Sequence, residues 1–260
     1  LGMRVIIDMV PNHVALDYQY LNKQAGLIMR DKNRMPFRKV AEWTDIVDLD
    51  YSNSKTSEHM AEIMQYWIRQ FDIDGYRCDV AGLVPMSFWE MVIPYLKAIK
   101  QDVFMLAEWE APALHKEVFH STYDWTLYSL ILQLHKGIIN ASVLADWISL
   151  KSKIYPKNAY PLRFLENHDK PRAFSIFKEK SIIPYLVLLF TIDGLPLIYN
   201  GQEIGAAESP SLFESEPINW KKSNLGMYRL IKILIGLRKR YPALPSKNYT
   251  FAEHDHDLQK

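Results

Sequence analysis

The sequence predicts a parallel α/β fold and, within that class, a barrel of alternating strands and helices. Strand-like apolar runs alternate with helical runs, which favours parallel strands covered by helices. A barrel allots about 31 residues to each strand-helix unit, and Asp79 and Glu108, which both follow predicted strands, lie 29 residues apart. No glycine-rich phosphate loop follows a predicted strand, and this disfavours an open nucleotide-binding sheet.

Composition indicates a globular protein with a large core and excludes some partners. The chain has 260 residues, of which 48% are hydrophobic and 13% aromatic. A formal net charge of +1 gives no electrostatic reason to expect nucleic acid or a membrane surface as a partner. The longest apolar run, 182–192, is shorter than the roughly 20 residues that span a bilayer. The single cysteine, Cys78, excludes an intrachain disulfide and is predicted to pack in the core.

The first strand is predicted over residues 4–10. Pro11 ends it, which leaves Asn12 and His13 at its carboxyl end. Residues 14–54 lack periodicity and are predicted to form a separate inserted loop domain.

A helix is predicted to follow the insertion, with Ser57 as its N-cap. Its apolar positions from Met60 to Phe71, Trp67 among them, repeat with helical spacing and are expected to share one buried face. The remaining elements alternate: strands at 75–80, 103–106, 122–128, 162–165 and 194–199, helices at 86–100, near 130–134, at 142–153 and up to about 192, and a final helix with Leu230, Ile231, Leu234 and Leu237 on one face.

The strand at 75–80 carries an arginine and an aspartate on one face. Arg77 and Asp79 are two residues apart, so both side chains project to the same side. The pair is either a structural ion pair or a carboxylate nucleophile that the arginine keeps ionised. Glu108 and Asp169 also follow predicted strands, and barrel enzymes place catalytic groups at that end.

Two kinds of chemistry suit three carboxylates at the carboxyl ends of neighbouring barrel strands. In retaining glycoside hydrolysis, one carboxylate attacks the sugar and a second acts as acid and then as base. In metal-assisted hydrolysis, His13, His168 and the aspartates are ligands instead. Neither His13 nor His168 belongs to a His-x-His or His-Glu-x-x-His pair, and this favours the first chemistry.

Four segments, each at a predicted strand end, carry a family resemblance. In order they are Asp8-Met9-Val10-Pro11-Asn12-His13, Gly75-Tyr76-Arg77-Cys78-Asp79, Ala107-Glu108-Trp109 and Glu166-Asn167-His168-Asp169. They resemble the signature segments of the alpha-amylase family of glycoside hydrolases, family 13. Val47-Asp48-Leu49-Asp50 and Gly201-Gln202-Glu203 are similar to two further segments of that family.

The resemblance implies a catalytic triad. Asp79 is then the nucleophile, Glu108 the general acid and base, and Asp169 the carboxylate that binds sugar hydroxyls and stabilises the transition state. Arg77 orients the nucleophile, and His13 and His168 bind the sugar beside the scissile bond.

The resemblance also implies supporting residues, a metal and a substrate. Asp8 and Asn12 are supporting residues, and Asn12 and Asp48 share a structural calcium ion. No organic cofactor is expected. The expected substrate is a starch-derived or related oligosaccharide or polysaccharide with alpha-glucosidic bonds. A transglycosylase or sugar isomerase with the same site is the main alternative, followed by a non-catalytic binding subunit.

Two departures from the family pattern qualify these expectations. Many members have Lys-His three and four residues beyond the nucleophile, where this chain has Gly82-Leu83. The resemblance also starts at barrel strand 3, so the sequence predicts an N-terminally incomplete (β/α)8 catalytic domain, strands 3 to 8. Missing barrel units or another chain complete it, or it forms an open six-stranded sheet. The predicted domains are a partial barrel (1–13 and 55–245), the inserted loop domain (14–54) and the start of a C-terminal segment (246–260).

Overall fold

A computed structural model describes residues 2–18, 26–116, 118–209, 211 and 214–248. The chain divides into two compact units, Leu1–Tyr123 and Asp124–Lys260. Each unit is described by itself below.

The first unit is built on a parallel sheet whose strands run in the order β1-β4-β5-β6. The register pairs Asp8 with Arg77, and Arg77 with Leu106. In chain order the elements are β1 (Ile6–Met9), β2 (His13–Ala15), β3 (Ile46–Asp48), α1 (Ser54–Phe71), β4 (Gly75–Cys78), α2 (Met86–Ile99), β5 (Phe104–Ala107) and β6 (Ser121–Tyr123), with 3-10 turns at Ala81–Leu83 and Pro112–His115.

The alternation of side chains along β4 separates the core of this unit from its polar site. Tyr76 and Cys78 are fully buried in a hydrophobic cluster that also contains Met64 of α1 and Trp89 of α2. The core position predicted for Cys78 is therefore confirmed. Arg77, between them, projects to the other face, as the period of two along a strand requires.

The excursion after β1 has a small structure of its own. Strand β2 pairs with β3 in antiparallel fashion, with His13 opposite Asp48. Isolated bridges join Ile28 to Leu49 and Arg30 to Pro36. Residues 19–25 of this segment lie outside the described residues, and its status as a separate domain stays a prediction.

The helix α1 begins earlier than predicted, so Ser57 is not its N-cap. Asn53 has extended backbone angles, and its side-chain oxygen accepts a hydrogen bond from the Lys55 N–H at 3.1 Å. Asparagine is among the strongest N-cap residues, and this side chain captures an amide that the helix leaves unpaired.

The buried face of α1 is also narrower than predicted. Met60, Met64 and Ile68 are buried, but Trp67 and Phe71 are 37% and 58% exposed. Their rings pack against each other, with centroids 5.0 Å apart, at the rim of the buried face.

The second unit contains a parallel pair of strands and four helices. Leu162 pairs with Leu195, and Arg163 with Pro196. The elements are α3 (Trp125–His135), α4 (Ala141–Ile154), β7 (Tyr160–Arg163), α5 (Ala173–Thr191), β8 (Leu195–Pro196) and α6 (Leu225–Arg240), with 3-10 turns at Gln202–Ile204 and Trp220–Lys222.

Local side-chain chemistry shortens two predicted strands. The strand expected over 122–128 ends at Tyr123, because the Asp124 side chain accepts a hydrogen bond from the Leu127 N–H at 3.3 Å and starts α3. The strand expected over 194–199 is reduced to two residues, and the Leu197 N–H makes one further bond to the Arg163 carbonyl at 2.8 Å. Pro196 has no N–H to contribute to a longer ladder.

The helices of the second unit pack around one hydrophobic cluster. Ile131, Phe177, Leu186 and Ile231 are buried in it. Leu237, expected on the buried face of the last helix, is 39% exposed instead. The final turn of that helix carries three basic residues, of which Lys239 and Arg240 are exposed and Arg238 donates hydrogen bonds to the carbonyls of Phe190 and Ile192.

Most of the segment predicted to begin at residue 246 lies outside the described residues, because 249–260 are not among them. Lys247, which is described, donates hydrogen bonds to the carbonyls of Lys157 at 2.7 Å and Ala159 at 2.5 Å. Over the described ranges, every helix is too short or too polar to cross a membrane.

We expect Asn53→Ala to lower the free energy of unfolding by about 1 kcal/mol, the usual value of an N-cap. Urea denaturation followed by circular dichroism measures it. Asn53→Asp keeps the capping oxygen but loses the bond from Nδ2 to the Gly26 carbonyl at 2.6 Å, so it should retain only part of this stability. Ser57→Ala is the matched control, and a loss there equal to that of Asn53→Ala would contradict the assigned cap.

Candidate active site

One guanidinium group holds three carboxylates at the carboxyl end of the first unit's sheet. Nη1 of Arg77 lies 2.9 and 3.1 Å from the two carboxylate oxygens of Asp8, and 2.8 Å from Oδ1 of Asp79. Nη2 lies 2.5 Å from Oε1 of Glu108. The Arg77 and Glu108 side chains are each 10% exposed and Asp79 is 21% exposed, whereas Asp8 is 60% exposed. The pairs with Glu108 and Asp79 are therefore largely shielded from water, which makes the loss of a partner there costly.

Three neighbouring parallel strands bring these groups together. Asp8 lies in β1 beside Arg77 in β4. Asp79 follows β4, and its N–H bonds to the Met9 carbonyl at 2.8 Å. Glu108 follows β5, and its N–H bonds to the Cys78 carbonyl at 2.9 Å. The parallel ladder therefore continues through both carboxylate residues and fixes their backbones.

Glu108 is a buried acid whose surroundings favour its protonated form. Burial is the largest influence and raises its pKa to about 7. The Val80 N–H and the Arg77 guanidinium act in the opposite direction, while Asp79 adds to the increase by charge repulsion and a shared hydrogen bond. A carboxyl group with such a pKa is suited to donate a proton and later accept one near neutral pH.

The residue after Asp79 adopts a strained backbone conformation. Val80 has φ 36° and ψ 44°, in the left-handed region that β-branched residues rarely occupy. This conformation directs its N–H to Oε2 of Glu108 at 3.0 Å. Residues held in such conformations cluster at functional sites. Nothing in the residue type valine signals this role, so sequence reasoning missed it.

Tyr123 is a second contact that sequence reasoning missed. Its hydroxyl lies 3.4 Å from Nε of Arg77, and its ring centre lies 6.0 Å from the guanidinium carbon. Burial raises the pKa of this hydroxyl. One sequence feature could have identified Tyr123. It lies near the start of the strand predicted over 122–128, which is the next predicted strand after the one that precedes Glu108.

Asn12 and His13 were predicted at the end of the first strand, but β1 ends at Met9, and His13 begins β2 opposite Asp48. Nδ1 of His13 lies 3.3 Å from the side-chain nitrogen of Asn12, and its ring packs against Trp43 with centroids 5.3 Å apart. Asn12 is buried and His13 partly so. Asp48 is buried too, and its Oδ1 has no hydrogen-bond partner in the part of the chain that the structure describes.

In the second unit, His168 and Asp169 lie side by side after β7. Nε2 of His168 is 3.3 Å from Oδ2 of Asp169, and both side chains are 44% exposed. The Asp169 N–H bonds to Oδ1 of Asn167 at 3.0 Å, which fixes the turn. Both side chains are thus presented at the surface of this unit.

Below this turn, a buried ion pair anchors the segment. Glu166 accepts a hydrogen bond from Nη1 of Arg172 at 2.8 Å and another from the Ala173 N–H at 2.6 Å. Burial raises the pKa of Glu166, and Arg172 opposes that increase. Arg172 immediately precedes α5, so its salt bridge with Glu166 ties the start of that helix to the end of β7.

The structure thus brings Asp8, Arg77, Asp79 and Glu108 into direct contact in the first unit. It places His168 and Asp169 in contact with each other in the second. The carboxylates that the sequence assigned to nucleophile and acid are therefore joined through one cation.

We expect Arg77→Met to lower the free energy of unfolding by about 3 kcal/mol or more at neutral pH, because it leaves buried carboxylates without their counter-ion. The loss should shrink at about pH 4.5, because Glu108, whose pKa burial raises to about 7, is then protonated and no longer needs the counter-ion. Urea denaturation at both pH values measures it.

The control for that variant is Arg4→Met, which removes the exposed pair between Arg4 and Asp102. Such surface pairs contribute little to stability. A loss for Arg77→Met that is the same at both pH values would contradict the electrostatic account.

Comparison with known proteins identifies the family. The alpha-amylase catalytic domain matches residues 37–227, which is more than half of the chain. A cyclomaltodextrinase from Geobacillus thermopakistaniensis is 29% identical over 99% of this chain and 48% of its own length. Alpha-amylase 2 from Dictyoglomus thermophilum is 28% identical over 94% of this chain and 47% of its own length. The chain therefore spans about half the length of these curated relatives.

Comparison with solved structures also finds alpha-amylases. A maltogenic alpha-amylase from Thermotoga neapolitana matches with a TM-score of 0.86 and 34% identity, over 94% of this chain and 57% of the other. An alpha-amylase from Lactobacillus plantarum matches with a TM-score of 0.86 and 28% identity, over 96% and 63% of the two chains. The predicted α/β fold, as part of a barrel-type catalytic domain, is confirmed. The chain belongs to the alpha-amylase catalytic-domain family of glycoside hydrolases.

Proposed function

We propose that the complete protein is a retaining glycosidase that hydrolyses alpha-glucosidic bonds in starch-derived or related oligosaccharides by double displacement. The observation that supports this most is the shared guanidinium of Arg77, which contacts Asp79 and Glu108 at once. Two carboxylates in contact with one cation, of which one is buried enough to stay protonated near neutral pH, form the acid and nucleophile pair of such enzymes.

In the first step, a carboxylate oxygen of Asp79 attacks the anomeric carbon while Glu108 donates its proton to the glycosidic oxygen. The bond from the anomeric carbon to that oxygen breaks, and the leaving sugar departs with a new hydroxyl. In the second step, Glu108, now ionised, takes a proton from water, and the resulting oxygen displaces Asp79. The free carboxylate is restored and Glu108 is protonated again, so the cycle closes.

The proximity of the two carboxyl groups supports retention rather than inversion of configuration. Glu108 and Asp79 are close enough to share a hydrogen bond. Retaining enzymes hold the two groups at about 5–5.5 Å, whereas inverting enzymes leave about 6.5–9.5 Å for a water molecule. Contact of both groups with the same guanidinium supports the shorter separation.

Other residues have supporting roles in this proposal. Arg77 orients Asp79, and Asp8 holds the same Nη1 of Arg77 in place. His13, His168 and Asp169 bind sugar hydroxyls, and Asp169 also stabilises the positive charge of the transition state. The relatives named above, a cyclomaltodextrinase and a maltogenic alpha-amylase, favour alpha-linked glucose units as the substrate class.

The decisive test is substitution of the nucleophile in the complete protein. Asp79→Asn should lower kcat on maltooligosaccharides by at least about 10³-fold, since loss of a nucleophile costs up to about 10⁶ elsewhere. Chromatography of the released sugars measures it. Asp102→Asn, an exposed aspartate, is the matched control.

Full activity of Asp79→Asn would overturn the proposal. Loss of activity on treatment with a chelator, with His13→Ala as damaging as Asp79→Asn, would favour metal-assisted hydrolysis instead. Longer or rearranged sugars at high acceptor concentration would indicate a transglycosylase.

The pKa of Glu108 leads to a pH prediction. The first step needs Glu108 protonated, so kcat/KM on a maltooligosaccharide should fall as pH rises through about 7. The same decline should be absent with alpha-maltosyl fluoride, because fluoride leaves without a proton from the enzyme. A decline at the same pH with both substrates would assign the titration to another group.

A structural calcium ion at Asn12 and Asp48 remains part of the proposal. The donor chemistry fits, because calcium prefers carboxylate and amide oxygens and Oδ1 of Asp48 is buried without a hydrogen-bond partner in the described ranges. Asn12 and Asp48 would supply protein oxygens, and the ion would stabilise the loop on which β3 lies.

If calcium binds there, EDTA should lower the melting temperature of the complete protein, and added calcium should restore it. Asp48→Asn should abolish that response. An identical response to EDTA in Asp48→Asn would place the ion elsewhere, and no response in the unaltered protein would argue against the ion.

A further inference from the structure

Tyr123 contacts the Arg77 guanidinium at a different nitrogen from the acids. Nη1 contacts Asp8 and Asp79, and Nη2 contacts Glu108. Nε instead donates a hydrogen bond to the Tyr123 hydroxyl at 3.4 Å. A guanidinium is planar and its N–H groups have fixed directions, so contacts at all of its nitrogens define its orientation. Tyr123 therefore helps to decide where Nη1 and Nη2 point.

The backbone that carries Tyr123 is held from both sides. Strand β6 pairs with β5 in parallel fashion, and the Tyr123 N–H continues the ladder with a bond to the Trp109 carbonyl at 3.1 Å. The preceding residue, Thr122, is braced by the buried His115, whose Nε2 lies 3.0 Å from the Thr122 hydroxyl oxygen. The other ring nitrogen, Nδ1, donates to the Phe119 carbonyl at 3.0 Å. The Tyr123 hydroxyl thus reaches the guanidinium from a fixed strand.

A neutral hydroxyl suits this position because the site already holds more acids than cations. A further carboxylate beside Arg77 would add repulsion, whereas a hydroxyl oxygen accepts the Nε–H without a charge. Burial is the largest influence on the pKa of Tyr123 and raises it, Arg77 opposes the increase, and Glu108 and Asp8 add to it. The hydroxyl therefore stays neutral in the pH range in which Glu108 titrates.

We propose that Tyr123 is a positioning residue, whose hydroxyl holds the Arg77 guanidinium in the orientation that serves Asp79 and Glu108 together. This inference rests on the proposed function, because it uses the nucleophile role of Asp79 and the acid role of Glu108. The buried tyrosine acts on the reaction through Arg77.

The first test removes the hydroxyl and keeps the ring. In the complete protein, Tyr123→Phe should lower kcat on maltotriose by about ten- to hundredfold, the scale of a small misplacement of catalytic groups. KM should stay within about twofold, because the lost contact acts on the transition state rather than on substrate binding.

Tyr76→Phe is the matched control for this variant. Tyr76 is also fully buried in the sheet, but its hydroxyl donates to the Met64 carbonyl on the face of β4 opposite to Arg77. Its kcat should stay within about twofold of that of the unaltered protein. An equal loss of kcat in the two variants, or an unchanged kcat in Tyr123→Phe, would overturn the inference.

A pH profile separates positioning from a general loss of structure. Burial raises the pKa of Glu108, while the Val80 N–H and Arg77 lower it, so a displaced guanidinium should let that pKa rise further. The alkaline decline of kcat/KM in Tyr123→Phe should move to higher pH by about half a unit or more, because a neighbouring opposite charge contributes about one to three units. A loss of the same size at every pH would indicate a merely structural role and contradict the inference.

A double-variant cycle tests whether the effect passes through Arg77. Arg77→Lys keeps the positive charge but has no Nε–H to donate to Tyr123. The losses in the free energy of unfolding caused by Tyr123→Phe and Arg77→Lys should therefore not add in the double variant, as measured by urea denaturation. Additive losses in an active protein would refute this inference alone. Inactivity of the unaltered complete protein on maltotriose would instead refute the proposed function, and with it the catalytic role of this contact.

Discussion

The contact of one buried arginine with three carboxylates is the constraint on which the site depends. Asp8, Asp79 and Glu108 would repel one another if Arg77 were absent, because all three approach the same guanidinium from neighbouring strands. The charges do not balance, with one cation facing three acids. Burial, helped by repulsion from Asp79, favours a proton on the most buried of these acids, Glu108. A difference in burial thus assigns different roles to chemically similar groups.

Much of this arrangement could be predicted from the sequence because it depends on periodicity. Side chains two apart on a strand share a face, so Arg77 and Asp79 were expected to meet, and they do. Polar residues at the ends of parallel strands converge, which is how Glu108 was placed beside them. The burial of Cys78 followed from the same alternation.

Other features depend on contacts between distant residues or on backbone angles, and the sequence pattern does not predict them. Ser57 was predicted as the N-cap because it precedes the apolar positions of the helix. The observed N-cap is Asn53, whose side chain accepts a hydrogen bond from the Lys55 N–H. The sequence pattern does not distinguish Asn53 from its polar neighbours. Val80 has no residue-type signal for a left-handed conformation. The indole of Trp109 packs on the backbone of Gly82, which lies in a different turn, and only the three-dimensional structure reveals this contact.

The position of Cys78 gives the molecule a built-in chemical reporter. It is the single cysteine of the chain, fully buried, and it lies between Arg77 and Asp79 on the catalytic strand. Burial raises the pKa of its thiol, so the reactive thiolate is suppressed while the strand is in place. A thiol-selective alkylating reagent can therefore modify Cys78 only when β4 opens. The rate of that modification measures how often the catalytic strand leaves the sheet, without any probe having to be introduced.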